Sequence, residues 1–383
     1  MTPLEELVRA TLHDPARELS PAPGSIDVAI GGVTTMRLRR LTITLALGLA
    51  GVALVTLGVV IAGPDADNSG PPADGREGPM PTVASIRDAD VVQRILLPGN
   101  GVAYLTMDAD AIYVANGSTG PAGPFLLRVD RSAGRIVAKR TVAAEPVALA
   151  LGPADSLWVA TAGEQPADYA LLQLDRRTLA IRRTVRLVPY PATALAVTDG
   201  TLWVGSEGTL YRLNAVDGRV QARLQPGRPV FSVTVDPSHR LLLVGLRDEL
   251  TAALLVLDER TGRQLARRAL HGPPMPAAGS VWMAESGSEA SRIRRLDPRT
   301  LADLPAGEVG RLRDEGFAAW AGGSVLWVTN ARRSQLMCVD PASGGVLGIR
   351  RLETGALVAD DTALYAADPR GLVRVAPASV CRG

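Results

Sequence analysis

The feature that most constrains the fold is a repeat of about forty residues that runs from near residue 91 to the C-terminus. Its clearest unit is a short apolar segment, usually centred on an aromatic. The copies are Ile112-Tyr113-Val114, Leu157-Trp158-Val159, Leu202-Trp203-Val204, Leu242-Leu243-Val244, Val281-Trp282-Met283, Leu326-Trp327-Val328 and Leu364-Tyr365-Ala366. Their central residues lie 45, 45, 40, 39, 45 and 38 positions apart. A unit of that length cannot bury its apolar side alone, so neighbouring copies must stack.

A second apolar segment follows each of the first six copies after a variable loop, ending on Asp130, Asp175, Asn214, Asp258, Asp297 or Asp340. Asp or Asn at that point hydrogen-bonds the backbone of its own turn, and Gly134, Gly218, Gly262 and Gly344 supply the left-handed residue the turn needs. A small-residue strand precedes each aromatic strand across a tight turn. Asp199-Gly200 is the clearest such hairpin signal, and Gly322-Gly323 and Asp360-Asp361 hold the same place. A fourth strand follows the Asp turn, as in residues 181–187 and 265–270. Four antiparallel strands per repeat predict an all-β fold, a seven-bladed β-propeller, with six blades as the alternative if the weaker fourth or seventh copy is not a blade. The seventh copy is one strand short. The segment Val91 to Leu97, VVQRILL, is available as its outer strand, which would close the ring without an open edge.

Ahead of the repeat, Leu41 to Ala62 is a run of 22 residues without a charge, long enough as a helix to span a hydrocarbon core of roughly 30 Å. Arg37, Arg39 and Arg40 precede it, and Asp65 and Asp67 follow. This pattern predicts a single transmembrane helix over 41–62 in the cell membrane, with the N-terminus cytoplasmic and the propeller outside. A cleaved signal peptide is the rival. Its charged region would be 40 residues long, and Val52 stands where a lipoprotein box after Leu49-Ala50-Gly51 needs cysteine. Residues 1–40 form a cytoplasmic stub. In it Thr2 and Glu5 have capping-box spacing, and Leu4, Leu7, Val8 and Leu12 recur at helical spacing. The stub is read as solvated or resting on the membrane, with a docking helix for a cytoplasmic partner as the alternative. Residues 63–90, rich in Pro and Gly, read as a disordered tether, and residues 91–383 as the propeller.

Composition excludes more chemistry than it suggests. With 41 basic and 39 acidic residues the net charge is +2, which argues against a nucleic-acid partner. Three histidines and two cysteines leave little for a metal site, and no cofactor-binding loop, Ser-His-Asp order or zinc spacing is present. Trp158, Trp203, Trp282 and Trp327 share one repeat position and read as packing between blades. Trp320 falls one strand earlier and is left unassigned, and His239 reads as a surface residue of a turn. Binding candidates lie in the loops after the aromatic strands, which leave strands of one direction and gather at one face: Asn116, Ser118, Glu164, Gln165, Asn330 and Arg332. His271 and Glu285 are the one His–carboxylate pairing on offer, a weak site. Cys338 and Cys381 read equally as a disulfide or as two thiols.

The repeats resemble those of bacterial extracytoplasmic propellers of the YVTN, NHL and quinoprotein-like superfamilies, whose blades share an LWV…LxRLDPxTG pattern. Leu202-Trp203-Val204 and Ile293-Arg294-Arg295-Leu296-Asp297-Pro298-Arg299-Thr300 match it best. The resemblance covers about residues 91–383 and implies the fold; the matching residues are scaffold and imply no single activity. Propeller lyases that resemble this group use histidines and acids with a divalent metal; here only His271 fits, without a second histidine. The function expected is therefore a membrane-anchored extracytoplasmic scaffold or envelope sensor that binds a protein or small ligand. A propeller lyase or hydrolase with a site on one face is the second reading. The third is a regulator signalling through the stub, which resembles helices of regulators paired with extracytoplasmic sigma factors but lacks their zinc-binding His/Cys signature.

Overall fold

The two-residue hairpin at Asp199-Gly200 shows how a repeat becomes a sheet. Both residues are left-handed, with φ of 33° and 80°, so Thr198 pairs directly with Thr201 and the chain reverses without a loop. The third strand, Leu210–Asn214, and the fourth, Val220–Leu224, then add outward in order. In the computed structural model this pattern occurs seven times, giving a seven-bladed all-β propeller. The structure describes residues 84–85 and 91–381, apart from 99–103, 118–122, 164, 166–167, 188–189, 249–251, 286–291, 312–316, 323, 331–332, 353, 355 and 369–370. The stub (1–40), the apolar run (41–62) and all of the tether (63–90) except two residues lie outside this set. Among the described residues no helix is long and apolar enough to cross a membrane.

We number the blades 1–7 along the chain. The first strands of neighbouring blades touch around the centre, and the fourth strands form the rim. The core is distributed between blades rather than within them. Trp158 of blade 2 packs with Leu202 and Val204 of blade 3, Trp203 with blade 4, Trp282 with blade 6 and Trp327 with blade 7. All four indoles are fully buried. Tyr113, Leu243 and Tyr365 occupy the same place in blades 1, 4 and 7.

The residue paired across from each buried indole, on the third strand, ties its blade to the next. Gln173, opposite Trp158, donates to the Val216 carbonyl at 3.0 Å. Arg212, opposite Trp203, donates to the Arg260 carbonyl at 2.8 Å, and Arg295, opposite Trp282, to the Ala342 carbonyl at 2.7 Å. Each acceptor is the second residue after the turn Asp or Asn of the following blade. Opposite Trp327 the same position is Cys338, and it is joined to Cys381 in the short helix Pro377–Cys381 of blade 7, with a Cα–Cα separation of 5.2 Å.

Val91–Ile95 pairs antiparallel with Gly371–Val375 and supplies the outer strand that blade 7 lacks, as the sequence predicts. Two residues of the expected tether also belong to the fold: Ala84–Ser85 lies parallel to Arg350–Arg351 and adds a fifth strand to blade 6. In every blade except the fifth, the outer strand holds one extra residue against its partner. These bulged residues are Val92, Val137, Arg182, Gln221, Leu265 and Leu347.

Candidate functional site

Because strands alternate in direction, the ring has two chemically distinct faces. One carries the hairpins between first and second strands and the Asp turns between third and fourth strands. The other carries the loops between second and third strands and the connections from blade to blade.

The turn face is built from carboxylates that hold their own backbone. Asp175 Oδ1 accepts the Arg177 and Thr178 N–H groups at 2.9 and 2.8 Å, and Asn214 and Asp297 do the same in their blades. The Thr178 N–H, with the Arg182 guanidinium behind it, holds Asp175 well below the usual carboxylate range. Across the ring closure, Arg131 of blade 1 pairs with Asp360 of blade 7 and donates to the Asp108 carbonyl at 2.8 Å. Burial pushes Asp360 up, but Thr362 and Arg131 outweigh it and bring the carboxyl down to about 2. Arg176 of blade 2 reaches Asp155 at 2.7 Å and Asp108 of blade 1 at 3.2 Å. Tyr113 donates to Asp108 at 3.0 Å, and burial, with that charge beside it, pushes its hydroxyl up to about 12. His239 is less superficial than its turn suggests. Its Nδ1 lies 2.7 Å from Asp236 Oδ2, and that carboxylate is buried. The latches at Arg131, Arg176 and His239 join blades or close turns; none presents an unengaged acid–base pair.

The loop face holds those of the residues singled out from the sequence that the structure describes. Asn116 and Asn330 end the second strands of blades 1 and 6 and are buried, with Asn330 Oδ1 accepting the Arg333 N–H at 3.2 Å. Ser206 ends the same strand of blade 3 and donates to the Pro191 carbonyl at 2.9 Å. Sequence reading missed it, although the register with Asn116 and Asn330 would have found it. Gln165 sits in a tight loop closed by Asp168, whose N–H donates to the Gln165 carbonyl at 2.9 Å. Ser118, Glu164 and Arg332 lie outside the described residues.

The backbone that follows His271 lies against the strand that carries Glu285. Gly272 lies so close to blade 5 that a Cβ on it would sit 2.2 Å from the Ala284 carbonyl. The Glu285 carboxylate itself accepts from Arg292 at 2.9 Å and from Arg294. Arg294 continues to Asp303 at 2.8 Å, and Asp303 to Arg268 of blade 4 at 2.6 Å. Glu285 is thus held between two arginines in a five-member charge chain, Arg292–Glu285–Arg294–Asp303–Arg268, across two blades, and that engagement is its visible role. Among the described residues no group of three His, Cys, Asp or Glu is arranged to hold a metal ion.

No family model matches the chain, and neither does any curated protein sequence. Solved structures do match in shape. BamB from Moraxella catarrhalis is 17% identical with a TM-score of 0.51, over 72% of this chain and 83% of that one. Kuenenia stuttgartiensis hydrazine synthase is 12% identical with a TM-score of 0.60, over 74% of this chain and 98% of that one. The Myceliophteria thermophila Cps50 (Swd1) β-propeller domain is 10% identical with a TM-score of 0.57, over 75% and 98%. At these identities the likeness shows the propeller fold alone.

Proposed function

We propose that the chain is a membrane-anchored extracytoplasmic propeller, of the YVTN, NHL and quinoprotein-like kind, that binds a protein or small ligand on its loop face as a scaffold or sensor. One observation carries this reading. The connections between second and third strands range from two residues in blade 7 to eight in blade 1, and all lie on one face of a rigid ring. Length variation greatest on one face is how a fixed scaffold acquires a binding surface. The engagement of Glu285 by two arginines weighs against the lyase or hydrolase reading, because its carboxylate is already held in place by Arg292 and Arg294.

The test places photo-crosslinking side chains at Thr119 and Ser288, in the loops of blades 1 and 5, and at Asp217 on the turn face. The full chain is irradiated in its native envelope. The expected result is one common adduct from Thr119 and Ser288 and none from Asp217. Equal labelling from both faces removes the loop-face assignment, and no adduct from any position removes the binding reading.

A further inference from the structure

The chain enters the fold at one place on the rim. Ala84–Ser85 lies along the outer strand of blade 6, and Val91–Ile95 forms the outer strand of blade 7 beside it. The same stretch of rim presents large apolar side chains to solvent: Val92 is 57% exposed, Leu96 73% and Leu347 43%. Val92 and Leu347 are the bulged residues of these two adjacent strands, so the bulge turns each away from the interblade cores. Of the other bulged residues, Val137 of blade 1, next to blade 7 around the ring, is also apolar and exposed, those of blades 2 and 3 are the polar Arg182 and Gln221, and Leu265 of blade 4 is half-buried. Arg351, exposed at the end of the blade 6 strand, adds a cation to the apolar group. Apolar side chains flanked by arginine suit the boundary between lipid headgroups and acyl chains. Only 21 residues separate Ala62 from Ala84, a covalent reach of at most about 75 Å.

We propose that the rim of blades 6 and 7 rests on the bilayer surface through Val92, Leu96 and Leu347, with Arg351 at the headgroups. The ring then stands on edge, its channel axis parallel to the membrane and both faces open to the exterior. This inference rests on the reading of residues 41–62 as an anchor, and its test separates the two. The full chain is reconstituted in phosphatidylcholine–phosphatidylglycerol vesicles that carry a photoactivatable acyl chain, and labelled peptides are mapped by mass spectrometry. The expected result is label on residues 41–62, on 91–97 and on 346–351. A Leu96→Glu/Leu347→Glu variant should lose most of the rim label and keep that on 41–62. Leu96→Glu alone serves if the double variant fails to fold. Label on 41–62 with no more on blades 6 and 7 than on the outer strands of blades 3 and 4 overturns the docked rim and leaves the anchor standing. Adducts between two copies through this rim, in place of lipid, overturn it as well. Absence of label on 41–62 overturns the anchor reading and this inference with it.

Discussion

At the scale of residues, neighbouring blades fit by trading volume across the joint. The turn residue that faces the preceding blade's buried ring is Gly218 opposite Trp158 and Gly262 opposite Trp203. A Cβ on Gly218 would lie 2.6 Å from Val185 and 3.1 Å from the indole. Where the preceding blade carries Tyr113 or Leu243, the turn residue is Leu179 or Leu301, buried and in the left-handed region at φ of 58° and 59°. Left-handed backbone costs a leucine about 1–2 kcal/mol, and burying its side chain returns about 1.5–3 kcal/mol. Leu243→Trp should therefore destabilise by about 1–3 kcal/mol through overpacking, and adding Leu301→Gly should recover part of that loss. Chemical denaturation of both single variants and the double variant measures the coupling, and simple additivity would sink the account. The tryptophan column was legible in the sequence because an aromatic at fixed spacing stands out. Its partner was not, because Thr-Leu-Ala in place of Thr-Gly-Arg reads as drift until the blades are stacked.

At the scale of elements, the joint between blades 6 and 7 differs in kind from the others. At the joints after blades 2, 3 and 5 an amide or guanidinium on the third strand bonds a turn carbonyl of the next blade; here the same register position is half of a disulfide. With a sequence separation of 43, that bridge removes loop entropy from the unfolded chain worth about 4 kcal/mol. Non-reducing peptide mapping should find Cys338 and Cys381 linked. Cys381→Ser should lower the denaturation midpoint by more than Gln173→Ala does, since the latter loses only hydrogen bonds worth about 1 kcal/mol. Spacing alone left the two cysteines undecided, because it is the register across from Trp327 that aims Cys338 at the next blade. Outer strands were harder to read. Those of blades 1 to 4 hold three, two, one and two basic residues and no acid. Along the chain these bases alternate with turn aspartates and look evenly mixed, yet the fold sends one set to the rim and the other to a face. Bases and bulges together keep the exposed edges from pairing with other chains.

At the scale of the molecule, the repetition makes the response to acid collective. Asp130, Asp175, Asp258, Asp297 and Asp340 are all held below the usual carboxylate range by N–H groups and hydroxyls of their own turns. A carboxyl depressed in the folded state contributes stability above its unfolded value of about 4 and loses it as the pH falls through the folded one. Thermal midpoints should thus hold steady from neutral pH to about 5 and drop steeply below about 4; a flat profile to pH 3 would contradict it. The strand that closes the ring makes a sharper demand. A chain beginning at residue 84 should melt like the whole propeller, whereas one beginning at residue 98 should lose blade 7 and unfold over a broad range, as calorimetry would show. Closure was legible because the seventh repeat runs out one strand early; the addition of Ala84–Ser85 was not, since two residues carry no pattern. Closure also has a consequence in time. Between Ile95 and Gly371 lie 275 residues. At roughly 5–20 residues per second, a ribosome needs about 15–55 s to make them. Throughout that interval the first strand of the ring has no partner, so every newly made copy depends on whatever shields Val91–Ile95 until the seventh blade arrives.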